Sequence, residues 1–82
     1  MMKLYQAEWC PYCARVRARM TDLCLTYINV NVPRNKSERT ELREVSGQTG
    51  IPTLVTEDGK VITDDDNAII AYIEERYDRV RC

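Results

Sequence analysis

Histidine and phenylalanine are absent from this 82-residue chain, and glycine and proline number only three each. Without histidine there is no Ser-His or Cys-His nucleophile pair and no imidazole ligand for a metal, so acid-base work would fall to carboxylates. So little glycine and proline excludes a fibrous or low-complexity chain. No apolar run approaches the roughly 20 residues of a membrane-spanning helix. An excess of positive charge is missing too: 12 Lys and Arg against 13 Asp and Glu give a formal charge of -1. Nucleic acid and anionic membranes therefore have no electrostatic footprint to bind. Met1-Met2-Lys3 leads into Leu4-Tyr5 without an apolar targeting region, so a cytoplasmic location is expected.

What the chain does contain is 44% hydrophobic and 30% charged residues, close to the globular average. A length of 82 residues has apolar material for one core, so residues 1–82 are expected to form a single domain. Lys3 to Ala7 suits a first strand. After Pro11, Cys13, Val16, Met20, Leu23 and Cys24 recur at three- and four-residue steps and mark the buried face of a helix, with Arg15, Arg17 and Arg19 toward water. Tyr27 to Val32 reads as a second, β-branched strand that Pro33 ends. Asn35 or Ser37 can cap a second helix, with Leu42 and Val45 as core contacts and a stop at Ser46-Gly47. Glu57-Asp58-Gly59 between Thr53–Thr56 and Lys60–Thr63 signals a hairpin. A last helix starts near Asp65 or Asp66 and runs to about Tyr77, burying Ile69, Ile70, Ile73 and Tyr77. The order β-α-β-α-β-β-α predicts a mixed four-stranded sheet flanked by three helices, an α/β fold with the first two strands parallel and the last two antiparallel.

Four cysteines are too few and too unevenly spaced for a disulfide scaffold, and Cys10 and Cys13 stand apart as a C-x-x-C pair. The pair falls at a strand-to-helix junction, with Pro11 in the first helical turn, where its missing N–H is harmless. Cys10 is then the helix N-cap, where unpaired backbone N–H groups and the positive end of the helix dipole favour a thiolate. One turn on, Cys13 can attack a mixed disulfide formed on Cys10 and act as the resolving thiol. A zinc site would have to recruit Cys24 and Cys82, one on an apolar helix face and one at the last position, and no metal is expected. Cys24 reads as inert core and Cys82 as an exposed thiol; Arg76, Arg79 and Arg81 favour the dipole of the last helix.

Cys10-Pro11-Tyr12-Cys13 and, further on, Ser46-Gly47-Gln48-Thr49-Gly50-Ile51-Pro52 resemble the dithiol motif and second signature of the glutaredoxins. Ile62-Thr63-Asp64-Asp65-Asp66-Asn67-Ala68-Ile69 is also similar to the N-terminal domain of glutathione S-transferases. The resemblance covers nearly the whole chain and implies a thioredoxin-like fold. It implies a cis bond at Ile51-Pro52, with the Ile51 main chain pairing with glutathione held beside Cys10. It implies that Tyr12, Ile51 and Pro52 line the glutathione site and that Asp65 or Asp66, at a helix N-terminus, takes the glutamyl end. Arg39 and Gln48 are the donors available to the glycyl carboxylate. Ala7 stands where glutaredoxins usually carry Lys, and Thr63-Asp64 where they carry a glycine pair. Trp9 resembles the thioredoxin rim tryptophan, although packing would serve it equally.

The activity so implied is glutathione-dependent thiol-disulfide exchange by a monomer. Glutathione is its co-substrate and no cofactor is tightly bound. Its partners are disulfide-containing or glutathionylated proteins. Two rivals are an electron donor fed by thioredoxin reductase and a carrier of a glutathione-ligated 2Fe–2S cluster.

Overall fold

The computed structural model describes residues 1–78; Arg79, Arg81 and Cys82 lie outside the described residues. Strand β1 (Lys3–Gln6) is followed by α1 (Pro11–Asp22), β2 (Ile28–Asn31), a 3-10 turn (Lys36–Glu38), α2 (Thr40–Ser46), β3 (Thr53–Val55), β4 (Val61–Thr63) and α3 (Asp66–Tyr77). The sheet order is β2-β1-β3-β4. Parallel pairing of β1 with β2 follows from the helical crossover between them, and β3 runs antiparallel to both β1 and β4. This is the thioredoxin-like α/β arrangement, with the expected element order. Among the described residues no helix is long and apolar enough to cross a membrane.

Strand side chains alternate between the two faces, and the core divides accordingly. Leu4 and Leu54, partners in register, meet Val16 and Met20 of α1 and Ile69 and Ile73 of α3 on one face. Ile70 and Tyr77 pack on this cluster only partly buried. On the other face Tyr5 and Ala7 pack with Leu42 of α2, Ile51 and both cysteines of the C-x-x-C pair. The dithiol is therefore seated in a hydrophobic cluster, at the point where β1 hands over to α1.

Local chemistry explains the boundaries. Asn35 Oδ1 accepts from the Ser37 amide at 3.0 Å, which initiates the 3-10 turn. Gly47, at φ 75, closes α2 in the left-handed conformation that glycine adopts without strain. The hairpin turn is closed by Thr56 N to Lys60 O at 2.8 Å.

Four expectations need correction. The second helix is split, because the chain tightens into the 3-10 turn before Thr40, and Val45 then faces solvent at 40% exposure while Leu42 alone is buried. Strand β2 is shorter than Tyr27 to Val32 and, as an edge strand, is largely exposed. Cys24 is not core: α1 has ended, its backbone is left-handed at φ 55, and the side chain is exposed and disulfide-bonded. The arginines of α1 do not simply face water. Arg15 reaches Asp66, Arg17 reaches Gln6 and Ala7, and Arg19 Nε lies 2.6 Å from Glu74.

Candidate functional site

Cys10 caps α1 with extended backbone (φ -85, ψ 118), and its Sγ accepts the Cys13 amide at 3.4 Å. The Cys10 amide donates to Ala7 O at 3.2 Å, which closes the loop that carries Glu8 and Trp9. Cys10 is 6% exposed and Cys13 fully buried. Burial, first, and the hydrogen bond to Cys10, second, push the Cys13 thiol up to about 12, against a backbone hydrogen bond from Ala7 that lowers it. The two sulfurs are thus unequal: one at the helix mouth against an amide, the other protonated one turn inside.

The Ile51-Pro52 bond is cis. Ile51 shares a hydrophobic cluster with both cysteines. Two cavities share Tyr12, Ile51 and Asp64 as a common wall. The larger, of about 470 Å³, adds Trp9, Arg34, Lys36, Arg39 and Gly50. The smaller, of about 140 Å³, adds Pro52 and Asp66. Opposite charge lies at the two ends: arginine and lysine on one side, aspartates on the other. A bigger cavity of about 670 Å³ lies between β4 and α3 and shares none of these lining residues.

The structure separates the two aspartates that sequence left equivalent. Asp65 is the N-cap of α3: its Oδ1 accepts the Ala68 amide at 3.0 Å, and it lines the cavity remote from the dithiol. Asp66, one residue on, faces the cleft wall with Tyr12 and Pro52 and pairs with Arg15 of α1.

Arg39 and Gln48, the expected donors to a carboxylate, are held by hydrogen bonds within the protein, while Arg39 also lines the larger cavity. Arg39, 3% exposed, donates through Nε to Pro33 O at 2.7 Å, through Nη1 to Thr49 O at 2.8 Å and through Nη2 to Arg34 O at 3.3 Å. Gln48 Nε2 donates to Ser46 Oγ at 2.8 Å and Thr53 Oγ1 at 3.1 Å, inside the turn. The cations that stand open at the cleft are Arg34, whose guanidinium lies 4.4 Å from the Trp9 ring centre, and Lys36. A basic pair beside Pro33 was a visible signal for them. Trp9 (46% exposed) and Tyr12 (59%) flank Cys10 at the rim. Asp64, at φ 50, closes over Gly50, where a Cβ would collide with its carboxylate.

Residues 4–81 match the family model described as the glutathione S-transferase, N-terminal domain. The chain belongs to that family. Members of the glutathione S-transferase N-terminal domain family share this thioredoxin-like fold, and named relatives tie the chain to glutaredoxins as well. An uncharacterized glutaredoxin-like 8.6 kDa protein of the rubredoxin operon of Clostridium pasteurianum is 30% identical over 93% of this chain and 100% of its own length. Glutaredoxin 3 of Escherichia coli is 28% identical over 65% of this chain and 64% of that protein. Among solved structures, a glutathione transferase homolog from Sulfitobacter with bound glutathione superposes over 98% of this chain with a TM-score of 0.83 at 21% identity. The chain spans 38% of that protein's length. A thiol-redox or transferase class is what these relatives support for the family member described here. Among the described residues no cluster of three or more metal-ligating side chains is found.

Proposed function

We propose that this single-domain chain is a glutathione-dependent thiol-disulfide oxidoreductase with Cys10 as nucleophile and Cys13 as resolving thiol. The observation that carries the reading is the unequal pair: Cys10 Sγ at the α1 N-terminus, 3.4 Å from the Cys13 amide, with Cys13 buried and protonated behind it.

The Cys10 thiolate attacks the glutathione sulfur of a glutathionylated protein, forms a Cys10–glutathione disulfide and expels the protein thiolate, which takes a proton from water. One external glutathione then attacks the glutathione sulfur, frees Cys10 and leaves as oxidised glutathione. On a protein disulfide the first attack yields a Cys10–protein adduct. Cys13 loses its proton, attacks Cys10 Sγ and releases the second substrate thiol, leaving a Cys10–Cys13 disulfide. Two glutathiones supply the two electrons that reopen it.

The cleft fits a dipolar peptide thiol. Asp66 and the start of α3 suit the glutamyl ammonium and carboxylate, Ile51 lies mid-cleft, and Arg34 with Lys36 replaces Arg39 and Gln48 as the partner of the glycyl carboxylate. Bound glutathione in the Sulfitobacter relative supports this choice of ligand. The chain works as a monomer in the cytoplasm on disulfide-containing or glutathionylated proteins, with no tightly bound cofactor.

The test is reduction of a glutathionylated peptide coupled to NADPH through glutathione reductase, beside the same reaction with thioredoxin reductase. Activity with glutathione is expected; activity only with thioredoxin reductase would overturn the assignment. Cys13→Ser should keep deglutathionylation and lose dithiol reduction, while Cys10→Ser loses both. Equal loss in the two variants would mean that this division of roles is wrong.

A further inference from the structure

Behind the dithiol lies a polar network that the exchange steps above leave unused. Gln6, on the central strand β1, is fully buried. Its Nε2 donates to Asn31 Oδ1 at 2.8 Å and to Glu8 Oε2 at 3.3 Å, and its Oε1 accepts from Arg17 Nη1. The same Arg17 nitrogen donates to Ala7 O at 3.3 Å. Ala7 O also accepts the Cys10 amide at 3.2 Å. The Ala7 carbonyl is therefore shared by Arg17 and the Cys10 amide. An aliphatic residue at position 6 would fill the site without desolvating an amide. What the polar set adds is a guanidinium held in one place, four residues beyond Cys13 on the same face of α1.

We propose that Arg17 is a positioning residue of the dithiol: through the Ala7 carbonyl, which it shares with the Cys10 amide, it holds the Cys10 loop against α1, and from one turn beyond Cys13 it presents a fixed positive charge to the resolving sulfur during attack. The proposal rests on the dithiol reading above and is independent of glutathione. Cys13 must shed its proton inside a hydrophobic cluster, where a nearby cation is the means of stabilising the developing thiolate. Arg17 stands one helical turn beyond Cys13, and its charge is the smaller of the two influences that lower the Cys13 pKa. The other ionisable groups near the pair are Cys10 itself, Glu8, whose Oε2 lies 3.5 Å from Arg17 Nε but is largely in solvent, and Tyr5, bound to Glu41. Glu8 thus weakens the Arg17 charge only from its exposed side.

The experiment uses dithiobis(nitrobenzoate), which needs no glutathione. Cys10 attacks one reagent sulfur and expels one coloured thionitrobenzoate. Cys13 then loses its proton to solvent, attacks Cys10 Sγ and expels a second, so the dithiol's two electrons end on two thiolates. Cys13→Ser identifies the second phase by abolishing it. In Arg17→Gln that phase is expected to slow roughly tenfold, as for loss of a charge-assisted contact, with its pH profile moved upward. Arg17→Lys should restore both rate and profile. A second phase in Arg17→Gln that matches the parent in rate and pH dependence would overturn the proposal, as would Arg17→Lys being equally slow. Should Arg17→Gln not fold, Gln6→Leu, which keeps the charge but removes its anchor, takes its place with the same expected slowing and the same overturning result. Failure of the glutathione-coupled assay alone would count against the function proposed above and leave this reading standing.

Discussion

Arg39 reaches ten residues along the chain to place Nη1 2.8 Å from the carbonyl oxygen of Thr49, while its Nε holds Pro33 O at 2.7 Å. One buried guanidinium thus ties the loop bearing Arg34 to the turn bearing Ile51 and Pro52. Removing it strands three backbone carbonyls, and Arg39→Ala is expected to cost about 3 kcal/mol of stability. Lysine cannot reproduce the fork, so Arg39→Lys should recover little. Arg34→Ala should do the opposite, raising KM for a glutathionylated peptide several-fold while stability stays within about 0.5 kcal/mol. Chemical denaturation beside steady-state kinetics checks both; a KM effect without destabilisation in Arg39→Ala would return Arg39 to the ligand site.

The adjacent aspartates should separate in the same way. Asp65→Asn keeps a capping oxygen and should change little, whereas Asp65→Ala loses the bond to the Ala68 amide and about 1 kcal/mol of stability. Asp66→Asn should raise KM for glutathione substrates roughly tenfold, the cost of a charge-assisted hydrogen bond. Urea midpoints and KM values measured on the three variants decide it, and a larger KM effect at Asp65 would place the ligand on the other side of the α3 start.

Gly50 and Asp64 are expected to be coupled. A methyl group at Gly50 meets the Asp64 carboxylate, so Gly50→Ala should cost about 1–3 kcal/mol through overpacking. Asp64→Gly removes the obstacle and relieves a backbone at φ 50. The double variant should regain most of the loss in a double-mutant cycle. Additive effects would mean that the two residues do not meet.

Stability should fall in alkali. Burial and the bond to Cys10 push Cys13 from 9.0 up to about 12, and burial and the bond to Glu41 push Tyr5 from 10.0 up to about 12. The unfolded chain then releases protons that the native chain still holds, so unfolding becomes easier as pH rises from 9.0 toward about 12. Below that window the contribution is fully present. Denaturation midpoints followed upward from neutral pH should show the decline, and Cys13→Ser should lessen it. An equal decline in Cys13→Ser would assign the effect to Tyr5 alone.

Much of this molecule can be read from local sequence because the signals are local. Pro11 after Cys10 marks a helix start, Asp58-Gly59 a turn, and Ile69 and Ile73 a helix face; each acts within a few residues, and the structure has these elements in that order. The expectations that failed depended on distant partners. Val45 fits the period of a core helix, but the chain tightens into a 3-10 turn before α2 and leaves it outside. Arg17 fits a solvated face, but Gln6 and Ala7 lie beneath it.

By itself, then, the sequence determined the alternation of elements, the mixed sheet and the place of Cys10 at a helix start, since propensity, capping and turn chemistry are properties of short segments. Only the tertiary structure decided which aspartate faces the cleft, that Arg39 is spent on backbone carbonyls, and that Arg34 and Lys36 stand open beside Trp9. Such choices turn on directions of side chains from segments far apart in sequence, where a shift of one residue on a helix turns a carboxylate through about 100°.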